Sequence, residues 1–305
     1  MLAFRKVTIT AVAVVGAVAI AACGGGGATA AGHGRIEVVA AENFWGSIAT
    51  QLAGSKANVT SIIVNPNTDP HSYDPSPGDA RTFAGAQLAI INGIGYDGWA
   101  SKLVAASPLK GRVTLDVGDL LGLQDGDNPH QWYSPTSVAR VVTAITSDLT
   151  ALDPKDAGYF KDRQHAFLTT GLATYHALIA HIRARYHGVP VGYSESIFKP
   201  LGDALGLRLL TPYSFAKAIA EGTDVTAADV EAVDRQARQR LIKVWVFNSQ
   251  NVTPEVQRVN QLARAAGIPI ATVTETLSPA NDSFQQWQVL ELRGLQRALA
   301  RATGH

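Results

Sequence analysis

Short apolar, β-branched runs recur along this chain with helical stretches between them, which is the rhythm of parallel β/α architecture. Arg35–Glu42, Val59–Val64, Leu88–Asn92 and Val113–Val117 read as four buried strands, with Phe44–Leu52 and Pro77–Ala86 helical between them. The rhythm then stops. Pro135–Leu152 reads as a helix with Pro in its first turn, Asp153-Pro154 breaks it, and a second helical pattern runs from Pro154 to Tyr186 before Gly188 ends it. A helix of that length would span ~50 Å and would cross from one lobe to another as a spine; the alternative is two ordinary helices broken near Gly171. Beyond it, Val189–Ser194, Leu207–Leu210, Ile242–Phe247 and Ile268–Val273 resume the strand pattern. Thr226 with Asp229 three residues on is a weak capping box, Thr253-Pro254-Glu255 a firmer helix start, and Gln286–Ala302 a closing amphipathic helix. The expected fold class is α/β: lobe, spine, lobe.

The N-terminus sets the compartment. Arg5 and Lys6 precede an uncharged apolar stretch, Val7–Ala22, too short to span a bilayer and ending in small residues, as a cleavable export signal does. Ile20-Ala21-Ala22-Cys23 has the form of a lipobox, and Cys23 is the only cysteine, so it has no partner for an internal disulfide. Residues 1–22 therefore read as a lipoprotein signal peptide and Cys23 as the lipidated N-terminus. Residues 23–34, mostly Gly and Ala, read as a flexible tether. The expected location is extracytoplasmic, anchored to the cell membrane through Cys23. With 26 basic residues against 25 acidic, the chain carries no electrostatic footprint for nucleic acid. The remaining divisions are 35–134, a first lobe; 135–187, a helix pair including the spine; and 188–305, a second lobe.

Eight histidines are present, and their settings differ. His165, His176, His181 and His187 fall on the spine, where surface or packing roles suit them; His33 lies in the tether and His305 ends the chain. His71 and His130 each follow a proline in a polar loop after a strand, in Asp69-Pro-His-Ser-Tyr-Asp-Pro75 and Asn128-Pro-His-Gln-Trp132. Proline restricts the backbone before the imidazole and lowers the entropy lost in fixing it, and ligands of open α/β sheets bind at such strand-end loops. A pair of loop histidines bonded to backbone carbonyls is the alternative. Two imidazoles make a weak metal site, so carboxylates at strand ends of the second lobe should complete it. Glu195 follows Val189–Ser194 and Glu275 follows Ile268–Thr274. Acids just past buried strands are costly unless paired, and a cation between the lobes would pair them; a helix cap or an ion pair to the opposite lobe would do so too.

Asp-Pro-His-Ser-Tyr-Asp-Pro, Asn-Pro-His-Gln-Trp, Ser194-Glu-Ser-Ile-Phe198 and Asn92-Gly-Ile-Gly-Tyr-Asp-Gly-Trp99 resemble motifs of the zinc- and manganese-binding solute-binding proteins of ABC transporters, the cluster A-I type. The likeness runs in order through residues 36–303. It implies two (β/α) lobes with parallel sheets joined by a long rigid helix, the metal in the inter-lobe cleft, and His71, His130, Glu195 and Glu275 as ligands. Two positions depart from the zinc pattern. The third is often His in zinc binders but is Glu195 here, as in manganese binders, and the fourth is usually Asp but is Glu275, one methylene longer. The long His/Asp-rich loop of many zinc importers is also missing, since Leu120–Asp127 is short.

The reading is thus a monomeric, lipid-anchored binding protein that captures one divalent ion, Zn²⁺ or Mn²⁺, for the ABC permease of its importer. Two His with two Glu is a hard donor set that leans toward Mn²⁺, while Zn²⁺ has the higher intrinsic affinity for N/O sites. Affinity should fall below about pH 6, where protons compete for imidazoles. A metal-dependent hydrolase is the competing class, but the chain has neither a His-Glu-x-x-His helix nor a nucleophile elbow. The other is a surface adhesin-type lipoprotein with a structural metal, which would unfold with chelator.

Overall fold

The computed structural model describes residues 34–304, and Arg35 onward forms one compact unit. The leader, Cys23, His33 and His305 lie outside the described residues. Among the described residues no helix is long and apolar enough to cross a membrane.

The first half of this unit runs β1 (Ile36–Glu42), α1 (Asn43–Ala53), β2 (Ala57–Ile63), α2 (Pro77–Gly85), β3 (Leu88–Ile91), α3 (Gly98–Ala106), β4 (Val113–Asp116) and α4 (Val117–Leu121). The middle is helical: α5 (Pro135–Leu152), α6 (Ala157–Ala166) and α7 (Ala173–Tyr186). The second half runs β5 (Pro190–Tyr193), α8 (Lys199–Ala204), β6 (Arg208–Leu209), α9 (Tyr213–Ala220), α10 (Ala227–Arg238), β7 (Val244–Asn248), α11 (Pro254–Ala265), β8 (Ile270–Val273) and α12 (Phe284–Thr303).

Both sheets are wholly parallel and share one strand order, β2-β1-β3-β4 and β6-β5-β7-β8. The strands inside each sheet, β1 and β3 in the first and β5 and β7 in the second, are buried on both faces, so their side chains alternate between two apolar layers. In β1, Val38 and Ala40 face one layer and Val39 and Ala41 the other; in β7, Val244 and Val246 oppose Trp245. The outer layers are separate: Phe83 and Trp99 cover the first sheet, Phe215, Val233 and Val259 the second. The inner layer is shared. Phe44 and Ile48 of α1, Val141 and Ile145 of α5, Tyr175 of α7 and Leu292 of α12 belong to one core that reaches both sheets. Two sheets that share a core cannot part as rigid bodies without exposing it, so any opening has to occur in the loops.

The expected spine is present but not continuous. Between α6 and α7, Phe167–Gly171 forms a π-turn, in which Leu172 N–H bonds Phe167 O at 2.8 Å. Phe160, Phe167, Tyr175 and Ile182, spaced seven, eight and seven residues apart, are buried along this stretch together with Leu172 and Tyr186. The extra residue of the π-turn absorbs the odd interval of eight and keeps both halves facing the core. The caps read from sequence are formed: Thr226 accepts from Asp229 N–H and Thr253 from Val256 N–H. Ser283 adds a full capping box with Gln286 at the start of α12.

Central strand β5 shows how tight the packing is. A Cβ on Gly192 would stand 2.7 Å from Ile242 Cδ1 and 2.9 Å from Trp245 Cε3, inside van der Waals contact. Gly192→Val is expected to destabilise the protein by about 1–3 kcal/mol through overpacking; an unchanged urea midpoint with unchanged m would refute the tightness of this contact.

Candidate metal centre

The two Pro-His loops are built on the same local device. Asp69 Oδ1 accepts the backbone N–H of His71 at 2.9 Å, and Asn128 Oδ1 accepts that of His130 at 3.1 Å. The short polar residue two positions before each histidine closes a turn around the intervening proline, which has no N–H to satisfy. Asp69 also takes the Ser72 hydroxyl at 2.9 Å, completing a 3₁₀ turn over Pro70–Ser72. Asn128 does more. Its Oδ1 lies 2.8 Å from His130 Nδ1, and its Nδ2 donates to Ser196 O at 2.8 Å across the sheets. The Nδ2 bond fixes which way the amide faces, so Nδ1 of His130 carries the hydrogen and Nε2 is the free donor atom.

His130 is fully buried and its Nε2 lies 3.6 Å from Glu275 Oε2. His71 stands with its ring 6.0 Å from that of His130, and both Nε2 atoms are buried without a hydrogen-bond partner. One ligand atom each from His71, His130 and Glu275 lies within 4.8 Å of the others, the sole such cluster among the described residues. Three of the four expected ligands therefore converge. Glu195 does not join that cluster. It is fully buried beside it, with Oε2 accepting from Asn251 Nδ2 at 2.9 Å and Oε1 unpartnered. The four remaining described histidines, His165, His176, His181 and His187, are exposed on the spine.

The two carboxylates occupy opposite electrostatic settings. Burial pushes Glu195 well above the ordinary carboxylate range, and the charge of Glu275 adds to it. Burial acts on Glu275 too, but His130 and His71, with a hydroxyl bond from Tyr96, outweigh it and hold Glu275 below its usual value. Burial keeps His71 below the usual imidazole value. The cluster thus presents a formed anion and imidazoles, with a second carboxyl held in reserve.

Several functional side chains escaped the sequence reading. Tyr96 donates to Glu275 Oε2 at 2.9 Å and packs edge-on against His71 at 4.5 Å. A left-handed turn carries it, with φ of 69°, 59° and 74° at Gly93, Ile94 and Gly95, pinned by Asp97 accepting from Asn92 N–H and Gly93 N–H. Positive φ at β-branched Ile94 is strained, and such strain is sustained where surrounding bonds over-determine the turn. In the second half, Asn248 Nδ2 donates to Glu275 Oε1 at 3.0 Å and Gln250 Oε1 accepts Glu275 N–H at 2.7 Å. With Asn251 on Glu195, the Asn248-Ser-Gln-Asn251 loop after β7 holds both acids. Glu42 is the other omission. It ends β1, is fully buried and unpartnered, and is pushed well above its ordinary range by burial and then by Asp97. The criterion that selected Glu195 and Glu275, an acid at the end of a buried strand, selects Glu42 equally; geometry separates it from the cluster.

Solvent reaches the cluster from two sides. A cavity of about 350 Å³ between Pro66–Ser72, Ile219–Gly222 and Gln250–Thr253 opens onto His71 and Glu275. A narrower one of about 110 Å³, lined by Lys217, Ser196 and Asn128, opens onto His71 and His130. Two parallel α/β lobes meeting at their strand ends, with imidazoles and carboxylates between them, are the design of a solute-binding protein for a small cation.

Comparison with known proteins places the chain within that class. Residues 38–298 match the family of the periplasmic component A of the zinc-uptake complex, ZnuA, and the chain belongs to this family. It is 30% identical to the manganese-binding lipoprotein MntA of Halalkalibacterium halodurans over 54% of this chain and 56% of that one, so the chain spans about half the length of that relative. It is 28% identical to the manganese ABC transporter substrate-binding lipoprotein PsaA of Streptococcus mitis over 93% of this chain and 96% of that one. The fold matches the Mn-bound periplasmic metal-binding protein of Candidatus Liberibacter asiaticus with a TM-score of 0.72 at 21% identity, covering 87% of this chain and 99% of that one.

Proposed function

We propose that this protein captures one divalent transition-metal ion, Mn²⁺ or Zn²⁺, outside the cytoplasm and hands it to the permease of an ABC importer. Residues 35–134 and 188–305 act as the two ligand-bearing lobes. His71 and His130 bind the ion through Nε2 and Glu275 through its carboxylate, and Glu195 turns from Asn251 to complete the set. Lipidation at Cys23 holds the protein at the membrane as a monomer. The observation that carries this reading is the convergence of His71, His130 and Glu275 in a buried cluster whose imidazole donor atoms have no other partner.

Binding rather than catalysis is supported by the surroundings: Glu275 is engaged at both oxygens by Tyr96 and Asn248, and Glu195 at one by Asn251, which suits them to ligation rather than to acting as a separate base. Reversible cargo rather than structural metal follows from the shared core and the capped, hydrogen-bonded ligand loops, which need no ion to hold their shape. The mature protein is expected to bind one equivalent of Mn²⁺ or Zn²⁺ in competition titrations and to keep its far-UV circular dichroism in chelator. Absence of stoichiometric binding of either ion would overturn the reading; unfolding in chelator would favour the structural-metal alternative.

A further inference from the structure

Helix α12 carries a carboxyl into the interior behind the ligand loops. Glu291 is half-exposed as a residue, but its carboxyl end is enclosed and meets three side chains. Tyr133 Oη is 2.6 Å from Oε2, while Thr274 Oγ1 and Trp287 Nε1 are 3.0 and 2.9 Å from Oε1. Tyr133 is three residues past His130, and Thr274 immediately precedes Glu275. The same Tyr133 hydroxyl lies 2.9 Å from Thr274 O and accepts Thr274 N–H at 3.3 Å. One tyrosine and one acid thus join the loop of one half to the strand end of the other.

Counting protons decides the state of the acid. Tyr133 has one hydroxyl hydrogen but two acceptor oxygens within bonding distance, Thr274 O and Glu291 Oε2. With an ionised Glu291, one of those contacts would have no hydrogen in it, and a 2.6 or 2.9 Å approach of two bare oxygens is repulsive. A neutral Glu291 supplies the hydrogen missing between it and Tyr133, and leaves only the 3.0 Å Thr274 Oγ1–Glu291 Oε1 contact without a hydrogen of its own, both oxygens there accepting from Trp287 N–H. Oε2–H donates to Tyr133, Tyr133 donates to Thr274 O, and the Thr274 hydroxyl donates to Thr276 O at 2.9 Å. Trp287 N–H then forks between Thr274 Oγ1 at 2.8 Å and Glu291 Oε1.

The wider surroundings agree. Of the elements packed on α12, strands β7 and β8 and helix α1 contain no charged residue. Helix α7 carries His176, His181, Arg183 and Arg185, and α12 itself Arg293, Arg297 and Arg301; none of these bonds the Glu291 carboxyl. An enclosed carboxylate without a cation is costly, so the proton stays.

We infer that Glu291 is a positioning residue, kept as a neutral carboxylic acid that donates its proton to Tyr133 and so locks the His130 loop onto the strand end bearing Glu275. The consequence for binding rests on the reading of His130 and Glu275 as ligands; the protonation state does not. Burial raises the carboxyl to about 8, against about 4.3 in an unfolded chain. The folded protein therefore holds a proton that the unfolded chain has lost. The stabilisation is full below the unfolded value and disappears as pH rises through about 8.

Gln is the shape of the neutral acid and cannot ionise; Leu fills the space without bonds. Melting temperatures of metal-free wild type and Glu291→Gln, measured from pH 5 to 9, should diverge in favour of the variant up to about pH 8 and run parallel above it. Mn²⁺ affinity at pH 7 should be nearly unchanged in Glu291→Gln and 10–100-fold weaker in Glu291→Leu, the range for loss of an outer partner of a metal ligand. The affinity ratio of Glu291→Gln to wild type should then rise roughly tenfold between pH 7 and 9. A pH-independent difference in melting temperature, a Glu291→Gln protein that does not fold, or Mn²⁺ binding by Glu291→Leu equal to wild type would each overturn the inference. A folded wild type that binds no Mn²⁺ would overturn the ligand reading, and the melting curves would still decide the state of the acid.

Discussion

Glu275→Gln should lower the affinity for Mn²⁺ and Zn²⁺ by more than the ~100-fold that marks the upper end for loss of an outer partner. Glu275 supplies the sole carboxylate atom in the convergent cluster, and its Oε2 faces His130 Nε2 at 3.6 Å. The amide keeps the volume and hydrogen-bonding reach toward Tyr96 and Asn248, so the fold is retained. What disappears is the negative charge that His130, His71 and Tyr96 stabilise. A neutral amide oxygen is a poor ligand for a divalent cation in an enclosed site, where the two imidazoles cannot neutralise the ion's charge. The measurement is competition titration with a chelating dye at constant pH, with circular dichroism of the metal-free protein as the control. Affinity equal to wild type would remove Glu275 from the ligand set and leave the cluster without its anion.

The parts of this architecture that were legible in the sequence are those where one residue type has one physical meaning. Short apolar runs bounded by turn residues marked each of the eight strands among the described residues, even Arg208–Leu209, a two-residue strand whose run Leu207–Leu210 has no β-branched residue. Asp-Pro-His and Asn-Pro-His gave the two imidazoles because the polar residue, the proline and the histidine act within a single turn. Helices were less legible where they are short: α3, α8 and α9 have nine, six and eight residues, too few for an apolar period to stand out. The spine reads as one long helix because Gly171 is tolerable in a helix, with a break near Gly171 as the alternative, and the π-turn at Phe167–Gly171 falls at that break.

The rest of the site is set by tertiary geometry. Asn248, Gln250 and Asn251 have no period and no motif that points to metal, and Tyr96, though inside the Asn92–Trp99 motif, carries no signal of its own; they matter because matching strand orders bring the loops after β3, β7 and β8 to one place. At the sequence level Glu275 departs from the usual Asp of its position by one methylene. In the structure Glu275 is central and Glu195 is outside the cluster. The extra methylene of Glu275 is taken up between Tyr96 and Asn248, which hold its two oxygens apart.

Mn²⁺ binding should release a proton at neutral pH, and the proton should come from Glu195. Burial first, and then the charge of Glu275, keep that carboxyl protonated well above the ordinary range, so the ion must displace a proton before Glu195 can bind it. His71 contributes none, because burial lowers its proton affinity and leaves it neutral near pH 7. The sign is then fixed: while Glu195 holds its proton, affinity rises with pH by about tenfold per unit, and the rise stops once the carboxyl ionises unaided. The pH dependence near neutrality is therefore assigned to the Glu195 carboxyl and not to His71. Titration calorimetry of wild type in two buffers of different ionisation enthalpy should show the release of one proton, and Glu195→Gln should abolish both the release and the slope while keeping weaker binding through His71, His130 and Glu275. The amide also preserves a contact with Asn251, so the metal-free fold is the same. Buffer-independent heats in the wild type, or a pH slope that survives in Glu195→Gln, would mean that Glu195 stays with Asn251 when the ion binds and that the ion is held by three protein ligands.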